Sequence, residues 1–346
     1  MTKMREDALQ KKNGNVLFRV LTPSDTQLYS NINLASYNYC DDVDRYVDDL
    51  LAAYFESFEA RKEIPDDALP VITPILGIGD YSAFVAGDIY FSKDTSWSKP
   101  ILEEISDWRN LPELGSTFWY KKFLEICEKI LQAIRETGIP FLRGFFSPLD
   151  LAEALRGNKI YYDFTDNPDE LHNLLDFCAD ATIKFAEDIY TLARSYLSEE
   201  DYSLWYIDNS INLSEDIACM ISPGLYREFG APHTQKVIDH FGKGFMHTHS
   251  RALYMVKEIC SLRNVANLWL ATDPNQPVPV QCLDRLIPDA QSVCLAIDCS
   301  SFEEFENTLD IALTGNVSYC LTVSSIEEGI DITNRAHELL KRKGVM

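Results

Sequence analysis

The sequence has no long run of apolar residues and few positive charges for its size. Although 46% of its 346 residues are hydrophobic, no uninterrupted apolar stretch approaches the roughly 20 residues that a membrane-spanning helix needs. Lys and Arg number 31 against 54 Asp and Glu, which gives a formal net charge of -23. Nucleic acids and anionic membrane surfaces are bound through Lys and Arg that neutralise phosphate, so this charge argues against both as partners.

The chain also lacks paired cysteines. It contains nine cysteines but no CxxC pair, and their scatter does not resemble the disulfide framework of a small secreted domain. Several lie within apolar runs, among them Cys178, Cys260 and Cys294, which indicates buried thiols. The first fifteen residues are charged rather than signal-like. We therefore expect a cytoplasmic protein.

A dinucleotide-binding fingerprint is missing as well. The segment from Gly77 to Asp80 lacks the third glycine of such a fingerprint and a convincing helix after it. Short β-rich runs instead alternate with amphipathic helical patterns through the C-terminal half, which implies parallel strands with right-handed crossovers. A sheet of about eight such units is expected to close into a barrel rather than to stay open. We therefore predict an α/β fold of the (β/α)8 TIM-barrel type. An open doubly wound sheet is the alternative. The predicted strands are 69–76, 88–91, 139–146, 203–207, 244–249, 265–271, 292–297 and 317–323.

The first sixty or so residues have a different pattern. Residues 41–62 place apolar side chains on one helical stripe with acidic residues opposite, which is typical of an amphipathic capping helix. We therefore predict a helical extension over residues 1–65 that packs on a barrel formed by residues 66–346.

Polar residues at the C-terminal ends of the predicted strands are the candidate site residues, because barrel enzymes build their active sites there. An Asp after a strand is also a common turn or helix-start residue, and we favour that role for Asp273 and Asp298. Asp208 follows an apolar run and begins a long polar loop of the sort that lines a barrel mouth. The candidates are Asp80, Arg143, Asp208, His247, His249, Asp273, Asp298 and Cys320.

Two histidines carry the strongest chemical signal. In an extended strand, His247 and His249 of the segment GKGFMHTHS point to the same face, so they can share one ion. Zinc accepts imidazole and thiolate, and a catalytic zinc site uses three protein ligands. Cys320, in the last predicted strand, is the preferred third ligand. The alternative is a hydrogen-bonded pair that binds a substrate carboxylate or acts in acid/base steps.

A series of spaced motifs resembles the uroporphyrinogen decarboxylase superfamily. The similarity runs from about Leu69 onward and is greatest to the branch that contains zinc-dependent cobalamin:coenzyme M methyltransferases and uncharacterised decarboxylase-like proteins. This resemblance implies a (β/α) barrel. The motifs are residues 91–97 (FSKDTSW), 145–152 (FFSPLDLA), 156–157 (RG), 162–163 (YD), 166–168 (DNP), 221–223 (ISP) with Tyr226, Phe229 and Pro232, and the histidine segment.

The chain departs from the family in two places. Decarboxylases of this family carry an Arg-rich RQAGRY segment that binds the many carboxylates of the substrate, and this chain has none, so we do not expect the heme-pathway reaction. The methyltransferase branch has a His-x-Cys metal motif with a later Cys. His247 matches its histidine, His249 stands where the first Cys is usual, and Cys320 matches the later Cys approximately.

The resemblance implies zinc-dependent methyl transfer. Zinc would hold the thiolate of a small thiol substrate, and the methyl group would come from a methylcorrinoid carried by a partner protein, with Asp208 as a possible further ligand. The first alternative is a metal-free decarboxylase, with Asp208, His247 or Tyr206 as the protonating acid and Arg143 holding a carboxylate. The second is a barrel that binds a ligand without catalysis. By analogy with relatives we expect a monomer or a homodimer.

Overall fold

The computed structural model describes residues 12–28, 31–197 and 210–345. The predicted strand 203–207 and the candidate residues Tyr206 and Asp208 lie outside the described residues. Among the described residues, no helix is both long enough and apolar enough to cross a membrane.

The described elements alternate between strands and helices through the second half of the chain. The strands are β1 Asn15–Leu21, β2 Tyr90–Phe91, β3 Ser96–Trp97, β4 Phe145–Phe146, β5 Ile211–Ser214, β6 Gly244–His249, β7 Val265–Ala271, β8 Cys294–Cys299 and β9 Asn316–Thr322. The α-helices are α1 Pro23–Gln27, α2 Val43–Arg61, α3 Asp80–Val85, α4 Phe118–Ile134, α5 Pro148–Arg156, α6 Ile160–Asp166, α7 Pro168–Tyr196, α8 Pro223–Leu225, α9 Ala231–Phe241, α10 Val256–Cys260, α11 Leu283–Ala290, α12 Phe302–Ala312 and α13 Ile326–Arg342. Short 3₁₀ segments lie at Leu34–Ser36, Ile105–Asn110, Gly157–Lys159, Ile217–Met220, Ser250–Met255 and Pro279–Cys282, and a π-helical turn lies at Tyr226–Gly230.

The chain forms two compact units, each assembled from separate segments. The first unit comprises residues 1–28, 54–70 and 243–346, and the second comprises residues 29–53 and 71–242. These units do not coincide with the division into residues 1–65 and 66–346, which stays a prediction from the sequence.

The first unit contains five parallel strands in the order β1-β9-β8-β7-β6. Side chains alternate between the two faces of this sheet, and one face is buried under helices that connect the strands. On that face the ring of Phe305 in α12 packs 4.7 Å from the ring of Phe18 and 4.9 Å from the ring of Tyr319. The opposite face carries both histidines of β6.

Strand β1 corrects the prediction of a helical N-terminal extension. Residues Asn15–Leu21 pair in parallel with β9 over their whole length, from Asn15 opposite Asn316 to Leu21 opposite Thr322. The segment NVLFRVL alternates between half-buried and buried positions, which is the period of a strand and not of a helix.

The second unit is mostly helical. Strand β4 pairs in parallel with β5, and β2 pairs with β3 as a short antiparallel hairpin. The 29-residue helix α7 supplies Phe185 to an aromatic cluster in which Phe84 lies 4.9 Å from Phe123 and 5.6 Å from Phe185 between ring centroids. Aromatic rings bury large apolar areas, so this cluster forms much of the core of the unit.

The predicted strand 69–76 forms only a single bridge, in which Ile72 pairs with Phe141. The amide of Ile72 donates to the Pro140 carbonyl at 3.0 Å, and the amide of Leu142 donates to the Ile72 carbonyl at 3.0 Å. Pro70 and Pro74 flank this bridge and have no amide hydrogen, so neither can extend the ladder as a donor.

The fold is therefore mixed α/β, with seven parallel strands among the described residues: five in the first unit and two in the second. This confirms the predicted α/β class. Closure into an eight-stranded barrel is not shown by the described strands and stays a prediction, since residues 69–76 contribute one bridge and residues 90–91 pair in an antiparallel hairpin.

Candidate functional site

Strand β6 of the first unit brings His247 and His249 together on one face. Their ring centroids lie 5.0 Å apart and the ring planes are inclined at 65°. Met246 and Thr248, which alternate with them, are buried on the opposite face. The alternation of the strand therefore orients both imidazoles toward the half-buried side of the sheet, as the sequence predicts.

A carboxylate fixes the orientation of His249. Asp273 follows β7, the neighbour of β6, and its Oδ1 lies 2.9 Å from Nδ1 of His249. The other carboxylate oxygen accepts the amide of Arg251 at 3.3 Å, and the amide of Asp273 donates to Ser250 Oγ at 2.9 Å. A carboxylate at Nδ1 favours the tautomer protonated on that nitrogen, so Nε2 carries the lone pair that an ion would take.

The electrostatics of the site favour a neutral imidazole at His247 and an ionised carboxylate at Asp273. Burial, assisted by the neighbouring His249, lowers the pKa of His247 to about 4. Burial acts to raise the pKa of Asp273, but the hydrogen bonds from the Arg251 amide and from His249 outweigh it, and the net shift of this pKa is downward. At neutral pH His247 is therefore a neutral nitrogen donor, which is the form that binds metal.

The structure does not bring Cys320 to the histidine pair. Cys320 lies opposite Asp298 of β8, whereas His249 lies opposite Ala271 of β7. Strands β6 and β9 are separated by β7 and β8, a distance of about 14 Å at the usual spacing of strands. Among the described residues, no set of three metal-binding side chains with ligand atoms within 4.8 Å of one another includes Cys320.

In the second unit, Arg143 and Asp80 form a buried ion pair. Their side chains are 5% and 0% exposed, and Nη2 of Arg143 lies 2.7 Å from Oδ2 of Asp80. Nη1 donates to the carbonyl of Pro74 at 3.0 Å. The guanidinium carbon lies 4.5 Å from the ring centroid of Tyr81 and 4.8 Å from that of Phe123. The sequence indicates Arg143 as a residue that holds a substrate carboxylate, but two of its donors bind groups of the protein.

Burial raises the pKa of Asp80 to about 6, with Arg143 opposing that shift. The pKa of Arg143 is raised, since the charge of Asp80 outweighs the effect of burial. The pair therefore exists as a charged couple at neutral pH, and each member depends on the other because an isolated buried charge is costly.

Sequence reasoning missed a buried acid in the second unit, Glu215, which directly follows β5. Its Oε1 accepts hydrogen bonds from the hydroxyls of Tyr226 at 2.9 Å and Thr234 at 2.6 Å, and the residue is 0% exposed. The available signal was the change from the apolar alternation of INLS to acidic residues, which marks the end of a strand. The prediction placed a strand end upstream, at residue 207.

The chain is similar to known proteins in its fold and not in its sequence. No family model matches the chain, and no curated protein matches it in sequence. The class that the structure defines is an α/β protein with parallel strands. Within that class, the chain is similar to the solved structure of a methyltransferase from Methanosarcina mazei, with a TM-score of 0.61 and 12% identity over 96% of this chain and 97% of that one. At this identity the similarity shows a shared fold.

Proposed function

We propose that the protein is a zinc-dependent methyltransferase that transfers a methyl group from a methylcorrinoid, carried by a partner protein, to a small thiol. The observation that carries the proposal is the histidine pair on β6, with His249 oriented by Asp273. The shared fold with a methyltransferase supports methyl transfer as the reaction class. The resemblance of the sequence motifs to zinc-dependent members of the uroporphyrinogen decarboxylase superfamily supports the choice of acceptor and methyl donor.

The residues of the first unit fit zinc in the chemistry of their donors. Two neutral imidazoles are common zinc ligands, and a carboxylate behind one of them is the usual outer partner of a metal-binding histidine. In this proposal His247 and His249 are two of the three protein ligands. When bound, zinc would lower the pKa of a substrate thiol and stabilise its thiolate.

The surroundings of the pair suit a thiol with an apolar body. The ring of Trp269 on β7 lies 4.4 Å from the ring of His247 and is 42% exposed, so it offers an apolar wall beside the imidazoles. His249 stays in one orientation because Asp273 accepts from Nδ1. Burial of His247 limits water around it, which strengthens electrostatic interactions at that position.

The first test is the zinc content of protein purified without a histidine tag, measured by mass spectrometry. We expect near-stoichiometric zinc in the wild type and less than about a tenth of that in the His247→Ala/His249→Ala variant, since a site of three ligands loses two. Cys320→Ser is the matched control and should keep its zinc, because Cys320 lies three strands from β6. The proposal fails if wild-type protein stays free of metal after incubation with zinc and dialysis.

The reaction is tested separately from the metal. Zinc-loaded protein is mixed with methylcobalamin and 2-mercaptoethanol, and demethylation of the corrinoid is followed by absorbance while the thioether product is measured by mass spectrometry. We expect product from the wild type and from Cys320→Ser, and background rates from the double histidine variant. A protein that binds zinc and forms no methylated product with a panel of small thiols would contradict methyl transfer while leaving the metal site in place.

Asp273 provides a test of the orientation of His249. We expect Asp273→Asn to weaken zinc binding by about 10- to 100-fold, the usual effect of removing the carboxylate behind a metal-binding histidine. Competition with a chromogenic chelator measures this affinity. Asp298→Asn, at the end of β8 on the same sheet, should change it less than about twofold because β7 separates β8 from β6. Equal affinities for the wild type and Asp273→Asn would show that the carboxylate does not act on the metal site.

A further inference from the structure

The second unit contains a cavity of about 310 Å³. This volume is at the lower end of the range of small-molecule sites, which are concave, mostly apolar and equipped with a few polar groups. Its wall follows that pattern, since most of it is aliphatic or aromatic. The aliphatic lining residues are Ile32, Leu34, Leu50, Ile75 and Ile78, and the aromatic ones are Tyr46 and Tyr81.

Arg143 is the buried polar group of this wall. Its Nη1 and Nη2 bind the Pro74 carbonyl and Asp80, but Nε is buried and has no hydrogen-bond partner among the described residues. A buried N–H without an acceptor costs about 1–3 kcal/mol, so a ligand that supplies an acceptor recovers that cost. The orientation of the guanidinium is fixed by two hydrogen bonds and two rings, which makes Nε a preorganised donor.

The two tyrosines of the wall are already engaged through their hydroxyls. Tyr46 donates to the carbonyl of Ile75, and Tyr81 donates to the carbonyl of Gly144. Burial raises the pKa of both phenols, so both remain neutral. Both line the cavity as neutral aromatic side chains and add no charge to it.

The charge around the cavity selects against anions. The positive charge of Arg143 is balanced by Asp80 at 2.7 Å. Asp94 and Thr95 also line the cavity, and both are exposed, so they belong to its open side. Of these two residues only Asp94 is ionisable, and it is an acid. An anion entering this cavity would meet a compensated guanidinium and a carboxylate, in a protein with a net charge of -23. A neutral acceptor avoids that cost.

We propose that the cavity binds a small, neutral, largely apolar molecule that places a carbonyl or ether oxygen against Nε of Arg143. The ligand class follows from an apolar wall, one oriented donor and a balanced charge. The proposal does not depend on the metal site or on the proposed reaction, and it holds whether or not the protein binds zinc.

Three probes of nearly equal size and shape test the ligand class: acetophenone, which carries a neutral carbonyl; ethylbenzene, which lacks the oxygen; and benzoate, which is anionic. Dissociation constants are measured by ligand-observed NMR and calorimetry on the full chain. We expect saturable binding of acetophenone, and binding of ethylbenzene and of benzoate that is at least about tenfold weaker, the effect of one hydrogen bond to a charged donor. Tighter binding of benzoate would overturn the proposal in favour of an anion site, and absence of saturable binding by all three would overturn it altogether.

Matched variants test the location. Thr95→Trp places a large ring at the open side of the cavity, and Lys93→Trp places the same ring at an exposed position of the same loop that does not line the cavity. We expect the dissociation constant for acetophenone to rise at least about tenfold in Thr95→Trp and to stay within about twofold of the wild type in Lys93→Trp. Equal binding by the two variants would place the ligand elsewhere. Thermal unfolding of both variants checks that they are folded. Weaker binding by a folded Thr95→Trp variant is then due to obstruction of the cavity.

Discussion

Replacement of Arg143 by Met is expected to destabilise the protein by about 3–5 kcal/mol, the usual effect of removing one member of a buried ion pair. The change leaves the carboxylate of Asp80 at 0% exposure without its partner at 2.7 Å, and it removes the cation that lies over the rings of Tyr81 and Phe123. Part of the loss is offset if Asp80 takes up a proton, because burial has already raised its pKa to about 6. Urea unfolding followed by circular dichroism at pH 7 measures the change.

Two further variants separate the lost pair from other causes. Asp80→Leu/Arg143→Met removes both charges, and we expect it to recover at least about half of the loss, since apolar replacement of a whole buried pair is often neutral. Arg109→Met breaks the exposed contact with Glu170 in the same unit and should cost less than about 1 kcal/mol. If Arg143→Met proves no less stable than Arg109→Met, the buried pair does not stabilise the fold.

Strands β6 and β7 show how far the sequence alone predicts this fold. Their predicted bounds, 244–249 and 265–271, agree with the structure. These elements combine a strong local period with clear ends. His249 ends one strand, and Ser301 and Ser325 cap the helices α12 and α13 by accepting the amides of Glu304 and Glu328. Local patterns of this kind are independent of long-range pairing.

The misplaced elements depend on long-range partners. Strand β1 is stabilised by β9, which lies about three hundred residues later in the chain. The sequence near Asn15 therefore does not indicate this partner. The segment around Ile72 differs, because its limit is local: Pro70 and Pro74 cannot donate to a ladder, and the segment forms one bridge. Period alone cannot show which partner a strand finds, and closure of a sheet depends on every partner.

The candidate sites divide in the same way. The shared face of His247 and His249 follows from strand geometry and needs no knowledge of the rest of the fold. The role of Asp273 does not follow from strand geometry. An aspartate after a strand has the same local pattern whether it begins a helix or binds a histidine of the neighbouring strand. Arg143 and Asp80 were both identified as strand-end residues, but their pairing joins positions 63 residues apart. Residue type predicts candidates, and contacts between strands decide their roles.

The buried acid Glu215 makes stability depend on pH in a direction unusual for a carboxyl group. Burial, with a further contribution from the nearby Asp150, raises the pKa of Glu215 from 4.5 to about 8. The folded protein therefore holds this proton more tightly than the unfolded chain does between these two values. The resulting stabilisation is complete below about pH 4.5 and is lost as the pH rises through 8. Replacement by Gln keeps an oxygen that can accept from Tyr226 and Thr234 and removes the titration.

Glu215→Gln is accordingly expected to match the wild type at pH 5 and to exceed it by roughly 1–3 kcal/mol at pH 9, less than the full value of the pKa shift because a buried acid relaxes as it ionises. Urea unfolding at pH 5, 7 and 9 measures the difference. Glu228 is an exposed residue of the same unit, and Glu228→Gln should leave the pH dependence of the unfolding free energy unchanged. Profiles of the wild type and Glu215→Gln that run parallel from pH 5 to 9 would show that Glu215 ionises normally despite its burial. A gap that widens with pH would identify Glu215 as a carboxylic acid that the fold keeps protonated at neutral pH.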